Sequence, residues 1–215
     1  VVKSVIDEST KDNDDIYSSS GTTLSVLARN QEQVEALCEM IDSGFNVGEV
    51  IIDFLEVDGM IDAVATVRKC AGAKVVLATP RIIKPGEEGI WKTLLRLEPD
   101  GLLIRSSGLV HKLQTLGGCG ANVDVGGGRM VKIPELIGDF SLNAINTVTS
   151  SELLDYGGLS RLTAGYDQSA SAITELAKAN AVDQQHDQVV PKSSRAFWHT
   201  SQHSKQFLMH SLSRN

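Results

Sequence analysis

Between residues 21 and 181 the chain alternates short apolar runs with longer segments whose apolar residues recur every three or four positions, and the pair repeats roughly every 27 residues. Runs such as VIID, VVLA and LLIR lack the polar-apolar alternation of a strand with one wet face. Such runs suit strands covered on both sides, so the sheet is expected to be parallel, with right-handed helical crossovers.

Six strand-helix units follow from this reading. TLSVLAR (23–29) leads into NQEQVEALCEMIDSG, where Val34, Leu37, Cys38 and Ile41 share a helical face and Asn30 can cap the start. EVIIDFL (49–55) precedes Asp58 and MIDAVATVRKCAG, with Ile61, Val64, Ala65 and Val67 or Arg68 as the expected buried stripe and Gly72 as the stop. AKVVLATPRII is followed by EEGIWKTLLRL, and GLLIRSSG by LVHKLQTLGG. ELIGDFSLNAIN leads to TSSELLDYGG, where Thr149-Ser150-Ser151-Glu152 has capping-box spacing and Gly157-Gly158 supplies a left-handed stop. LSRLTAGYD then precedes SASAITELAKA.

The first unit lacks the Gly fingerprint of a dinucleotide-binding fold, which favours a (β/α) barrel over an open doubly wound sheet. A complete eight-unit barrel takes about 250 residues, so six units predict a partial, TIM-like barrel. Residues 1–20 read as an acidic linker of charge −3, with Lys3 and Lys11 against Asp7, Glu8, Asp12, Asp14 and Asp15. Residues 182–215 hold four of the five histidines among Gln and Ser and read as a poorly ordered tail of charge +2. With 20 Lys+Arg against 27 Asp+Glu, the chain carries −7 and has no whole-molecule basic field for nucleic acid or anionic lipid. The opening VVKSVIDEST is too polar and acidic for a signal or transit peptide, and the apolar runs are too short to span a bilayer. Cys38, Cys70 and Cys119 show neither disulfide-framework nor paired zinc spacing, so a reduced, intracellular setting is expected.

Chemistry in such folds sits where the strands end at their C-terminal side. That rule collects Asp53, Glu56, Arg81, Arg105, Ser106, Asp139, Asn143, Tyr166 and Asp167 at one mouth. Arginine forks match carboxylate or phosphate, and an aspartate can serve as base or acceptor. The same pairs could instead stabilise the barrel end. Asp139 and Asn143 are the catalytic candidates, with Arg81, Arg105, Tyr166 and Asp167 as substrate-binding candidates.

Other motifs carry less. GGCGANVDVGGGRM (117–130) lacks the GxxxxGK[ST] spacing of a phosphate loop and reads as a flexible excursion between the fourth and fifth units. His199 and His203 are four apart, but HTSQH lacks the glutamate of HEXXH, and no metal site is expected. No GxSxG nucleophile elbow occurs.

KIPELIGDFSLNAINTVTSSELLDYGGLSRLTAGYDQSASAITEL, residues 132–176, resembles the peptidase U32 family of collagenase-like proteins. The resemblance rests on Gly138, Asp139 and Asn143 in a GD-x-x-x-N pattern, then a helix, then GLSRLT from Gly158 to Thr163. With the upstream LEVDGMIDAVATVRKCAGAKVVLATPRII and GLLIRSSG, which look like longer, plant-type members, it covers about residues 21–180. It implies a barrel-like catalytic region acting as a peptidase, or in hydroxylation of RNA bases or a quinone ring. Peptide, RNA and quinone are therefore the implied substrates, and a plastid the compartment if the source is a plant. Full-length relatives hold an iron–sulfur cluster on cysteines after the barrel. Residues 181–215 contain no cysteine, so no cofactor is expected in this chain, and an alternative C-terminus would explain the change. TAGYD stands where members carry a strand ending like SPEL, so a role at Asp167 does not transfer directly. The contrasting expectation is a non-catalytic fragment that binds a protein partner through open strand edges.

Overall fold

The structure, a computed structural model, describes residues 24–70 and 72–186. The linker reading of residues 1–20 and, from residue 187 on, the tail reading of 182–215, with His199 and His203, lie outside the described residues; residues 182–186, read as part of that poorly ordered tail, instead continue the last helix.

Among the described residues six strands pair in parallel in one sheet, where the first four strands of the chain are followed by the seventh and the eighth, with helices on the crossovers. In chain order the elements are β1 (Leu24–Ala28), α1 (Gln31–Asp42), β2 (Val47–Ile52), α2 (Val57–Val67), β3 (Lys74–Ala78) and α3 (Gly89–Arg96). Then come β4 (Gly101–Ile104), α4 (Ser107–Thr115), β5 (Asn122–Asp124), β6 (Met130–Lys132) and β7 (Glu135–Gly138). A 3-10 turn (Phe140–Leu142), α5 (Thr147–Ser151) with a π-helical turn (Glu152–Tyr156), β8 (Arg161–Leu162) and α6 (Ala170–His186) complete it. This is the expected partial TIM-like barrel, a sheet curled about halfway round.

Strands β1 to β4 and β7 face two cores. Val50, Ile52, Val75, Leu77, Leu102, Ile104 and Leu136 point outward to the helices, while Leu27, Ile51, Val76, Ala78, Leu103 and Ile137 form a separate apolar band on the concave side. That double burial is why the strand sequences are apolar on alternate and intervening positions alike. On α1, Asn30 caps as expected, its side chain accepting from the Gln33 N–H at 2.9 Å, and Val34, Leu37 and Cys38 are buried.

Four local expectations are corrected. The buried stripe of α2 is Met60, Ala63, Val64 and Val67, whereas Ile61 is exposed. The cap of α5 is Asn146, accepting from the Thr149 N–H at 2.9 Å, so Thr149–Glu152 lies inside the helical segment rather than at its start. The Gly-rich excursion is an ordered antiparallel hairpin, β5–β6, outside the main sheet, whose Val123, Val125, Val131 and Ile133 join the outer core. At its turn Gly126 has φ +105°, and a Cβ there would meet the Arg96 guanidinium at 2.6 Å. Finally, Cys38 and Cys70 are bonded to each other, while Cys119 is free and exposed.

The curl is visible in one ion pair. Glu49 on β2 receives two hydrogen bonds from Arg161 on β8, at 2.6 and 2.5 Å, and one from the Ser25 hydroxyl at 2.7 Å. Glu49 is in register with Lys74, whereas Arg161 is in register with Ile137, and through it with Leu103 and Ala78. Ala78 lies four residues beyond Lys74, and β2 to β8 is four strand steps. One residue of stagger per strand is the shear of an eight-stranded barrel. Burial raises the Glu49 carboxyl, but the hydrogen bonds from Arg161 and Ser25 and the charges of Arg161 and Lys74 outweigh it and leave the pKa below its ordinary value.

A carboxylate held below its ordinary pKa contributes stability above that value and loses it as pH falls through the folded-state value. Glu49→Gln is therefore expected to cost about 1–3 kcal/mol at neutral pH. The gap from the parent should narrow below about pH 4.5, the ordinary value for this group. Urea midpoints of both proteins across pH 7 to 3 measure this; a gap that widens in acid contradicts the pairing.

Candidate functional site

The concave face changes character above its apolar band. Asp53, the residue after β2, Arg105, the residue after β4, and Asp139, the residue after β7, all project inward at the C-terminal ends of their strands. Arg105 donates to both oxygens of Asp53, at 2.5 and 2.9 Å, and its Nε lies 3.4 Å from Asp139 Oδ2. Side chains of Arg105, Asp53 and Asp139 are 9%, 12% and 4% exposed, so this is a nearly dry cluster of one cation and two anions. The second cation is Arg29, 3.6 Å from Asp53 and half exposed.

Backbone groups hold the cluster. Thr79, fully buried, donates to the Leu103 carbonyl at 3.1 Å and accepts the Arg105 N–H at 3.2 Å. Ser141 donates its hydroxyl to the Arg105 carbonyl at 3.0 Å, and its N–H points to Asp139 Oδ2 at 3.4 Å. Gly138 is required for a packing reason, since a Cβ there would run into Leu162 and Leu159. Burial works to lower the Arg105 pKa, but the hydrogen bond and charge of Asp53, then the charge of Asp139, raise it beyond its ordinary value.

Beside this floor stands a shelf. The rings of Phe140 and Tyr166 are 4.1 Å apart at 45°, and the Arg81 guanidinium lies 4.8 Å from the Phe140 ring centre. Partial burial and then the Asp139 charge hold the Tyr166 phenol above its ordinary pKa, against Arg81, Arg29 and Arg105, so the hydroxyl is a donor at neutral pH. Around the mouth, Leu55, Ile82, Ile145 and Tyr166 are exposed in the loops after β2, β3, β7 and β8, and Val148 is exposed in the first turn of α5. A charged floor within an apolar lip suits an occupant larger than the floor itself.

The sequence candidates sort accordingly. Asp53, Arg105 and Asp139 form the cluster, and Arg81 and Tyr166 the shelf. Asn143 stands exposed at the lip, left-handed at φ 53° where it closes the 3-10 turn, its N–H donating to the Phe140 carbonyl at 3.0 Å. Asp167 is exposed next to Tyr166; Glu56 is exposed at the start of α2, and Ser106 precedes α4 without capping it through its side chain. Arg29, Phe140, Thr79 and Ser141 were not singled out from sequence. Arg29 continues the inward phase of Ser25 and Leu27, which was the signal available for it.

Among the described residues no group of three or more His, Cys, Asp or Glu converges as metal ligands. The three cysteines do not suit a cluster, two being bonded together on the α1–α2 side and Cys119 lying apart before β5. No described helix is long and apolar enough to cross a membrane. A cleft of about 440 Å³ opens at the opposite end, at the feet of β4 and β7, lined by Asp100, Cys119, Lys132, Ile133, Pro134 and Glu135. In barrels that end serves stability rather than chemistry.

No family model and no curated protein matches the chain. Among solved structures it is similar to a dipeptide epimerase from Enterococcus faecalis, at 11% identity and a TM-score of 0.43 over 73% of this chain. The similarity spans 45% of that protein, and nothing about activity transfers at this level.

Replacing Arg105 by Met leaves Asp53 and Asp139 facing each other without their shared cation, and should cost about 3–5 kcal/mol, as for other broken buried pairs. Arg105→Lys keeps the charge but loses the fork and should cost less. Chemical denaturation ranks the three proteins; equal midpoints for parent and Arg105→Met would remove the cluster from the account of this mouth.

Proposed function

We propose that this chain forms the rim-bearing part of a (β/α) barrel peptidase of the U32 type, with the mouth around Asp139 as its active centre. The observation that carries this reading is the buried Asp53–Arg105–Asp139 cluster at the C-terminal lip, next to the donor shelf of Arg81 and Tyr166. Among the three implied substrate classes a peptide fits the surroundings best. The acidic chain offers RNA no broad basic field, and the apolar lip offers peptide side chains a place to lie.

In this reading Asp139 takes a proton from a water as the water oxygen bonds to the substrate carbonyl carbon. Tyr166, held protonated, donates to the oxygen on which charge develops, assisted by Arg81. The C–N bond then breaks and Asp139 returns the proton to the leaving amine. Arg105 is a positioning residue, its charge lying 3.4 Å from the Asp139 carboxylate. Asn143, exposed at the lip, and Asp167 contact substrate beyond the scissile bond.

Purified protein is assayed against a mixed peptide library, with products read by mass spectrometry. Asp139→Ala should lower cleavage at least about 100-fold, and Tyr166→Phe about 10-fold, the sizes usual for a lost base and a lost donor. Cleavage unchanged in Asp139→Ala contradicts the reading. A second reading is favoured by a different observation: among the described residues β1 and β8 are the outer strands of an incompletely closed sheet, whose edges can accept a strand from a protein partner. Absence of Asp139-dependent turnover, together with a partner that protects the β1 and β8 amides from hydrogen exchange, would select it.

A further inference from the structure

Cys38 lies in the second half of α1 and Cys70 three residues beyond the end of α2. Their Cα atoms are 5.8 Å apart, within the span a disulfide bridges, and the two sulfurs are bonded. We propose that this pair is a reversible thiol–disulfide site open to the disulfide of a small thiol, in which Cys70 is the sulfur first attached and Cys38 the sulfur that resolves.

Two observations support reversibility. The bond is not the sole tie between the two helices, because α1 buries Val34 and Leu37, and α2 buries Met60, Ala63, Val64 and Val67, in the same outer core that holds Cys38. The reduced pair also has a place for its hydrogens: the Thr66 carbonyl lies 3.4 Å from Cys70 Sγ and 4.0 Å from Cys38 Sγ, within reach of an S–H donor from either residue. Both redox states are thus compatible with the same packing.

The order of attack follows from access. Cys38 is 8% exposed, whereas Cys70 is only partly buried, just beyond the end of α2. A small disulfide reaches Cys70. The Cys70 thiolate attacks one sulfur of RS–SR, giving Cys70–S–SR and RS⁻, which takes up the proton that Cys70 gave off. The Cys38 thiolate then attacks the Cys70 sulfur and expels the second RS⁻, which is protonated in turn. In sum the protein dithiol gives two electrons and two protons to RSSR, which leaves as two RSH. Cys119, free and exposed, has no partner cysteine among the described residues and takes no part.

The test uses the full chain with Cys119→Ser as parent, fully reduced, freed of reductant, and mixed with oxidised glutathione. Samples are quenched by alkylation and weighed intact. The parent is expected to lose two hydrogens without accumulating an adduct. Cys38→Ser should accumulate one glutathionyl group on Cys70, and Cys70→Ser should react at least about tenfold more slowly, following exposure. A parent that stays dithiol, or Cys70→Ser modified as fast as Cys38→Ser, overturns the proposal. A second measurement needs no cysteine variant of the pair. The reduced parent should keep its folded circular-dichroism spectrum and melt several degrees below the oxidised form, as expected for opening a 32-residue loop. A reduced parent that is unfolded at 25 °C would make the bond a structural staple and overturn reversibility.

Discussion

A parallel sheet curls into a barrel only if the side chains on its concave face fill the narrowing space, and here they do so in three tiers. At the foot the Glu49–Arg161 pair runs from the second strand to the sixth. In the middle lies the band of Ile51, Val76, Ala78, Leu103 and Ile137. At the top Arg105 draws in Asp53 and Asp139. The two charged tiers act as chords across an arc, so the curvature is fixed by directional bonds as well as by packing. Charges are tolerated in such a dry place because each is met by an opposite charge, and Glu49 and Asp139 also by the Ser25 hydroxyl and the Ser141 N–H.

The strands, their parallel order and the position of the mouth were legible because double burial writes an unmistakable apolar run into the sequence. Phase within helices was less so. In MIDAVATV both Met60 and Ile61 can head an apolar stripe, and only packing of α2 on β2 and β3 selects Met60. The α5 start was misplaced because Asn146 and Thr149 both carry capping side chains, and the chain geometry after Asn143 favours the first. The hairpin escaped notice because its strands are three residues each, too short for periodicity to register.

The candidate site was legible as a set of positions but not as a set of bonds. Reading strand ends picks out Asp53, Arg105 and Asp139 one by one. Their pairing spans 52 residues between Asp53 and Arg105, and the foot pair spans 112, distances over which sequence has no local signature. Asn143 shows the converse. Its place in the GD-x-x-x-N pattern marked it for chemistry, and its left-handed backbone gives it a conformational task as well, one that asparagine accepts more readily than most residues. The bonded cysteines were hidden for a related reason: they meet only because two consecutive helices lie side by side on the same face of the sheet.

The hairpin between the fourth unit and the strand that pairs with it leaves its turn, Gly127 and Gly128, with open space about it. It leads into the foot of β7, on the far side of the molecule from Asp139. That separation makes the turn a natural handle: a dye, a tether or an added loop grafted at this tip would ride on a firmly seated support while leaving the opposite entrance unobstructed.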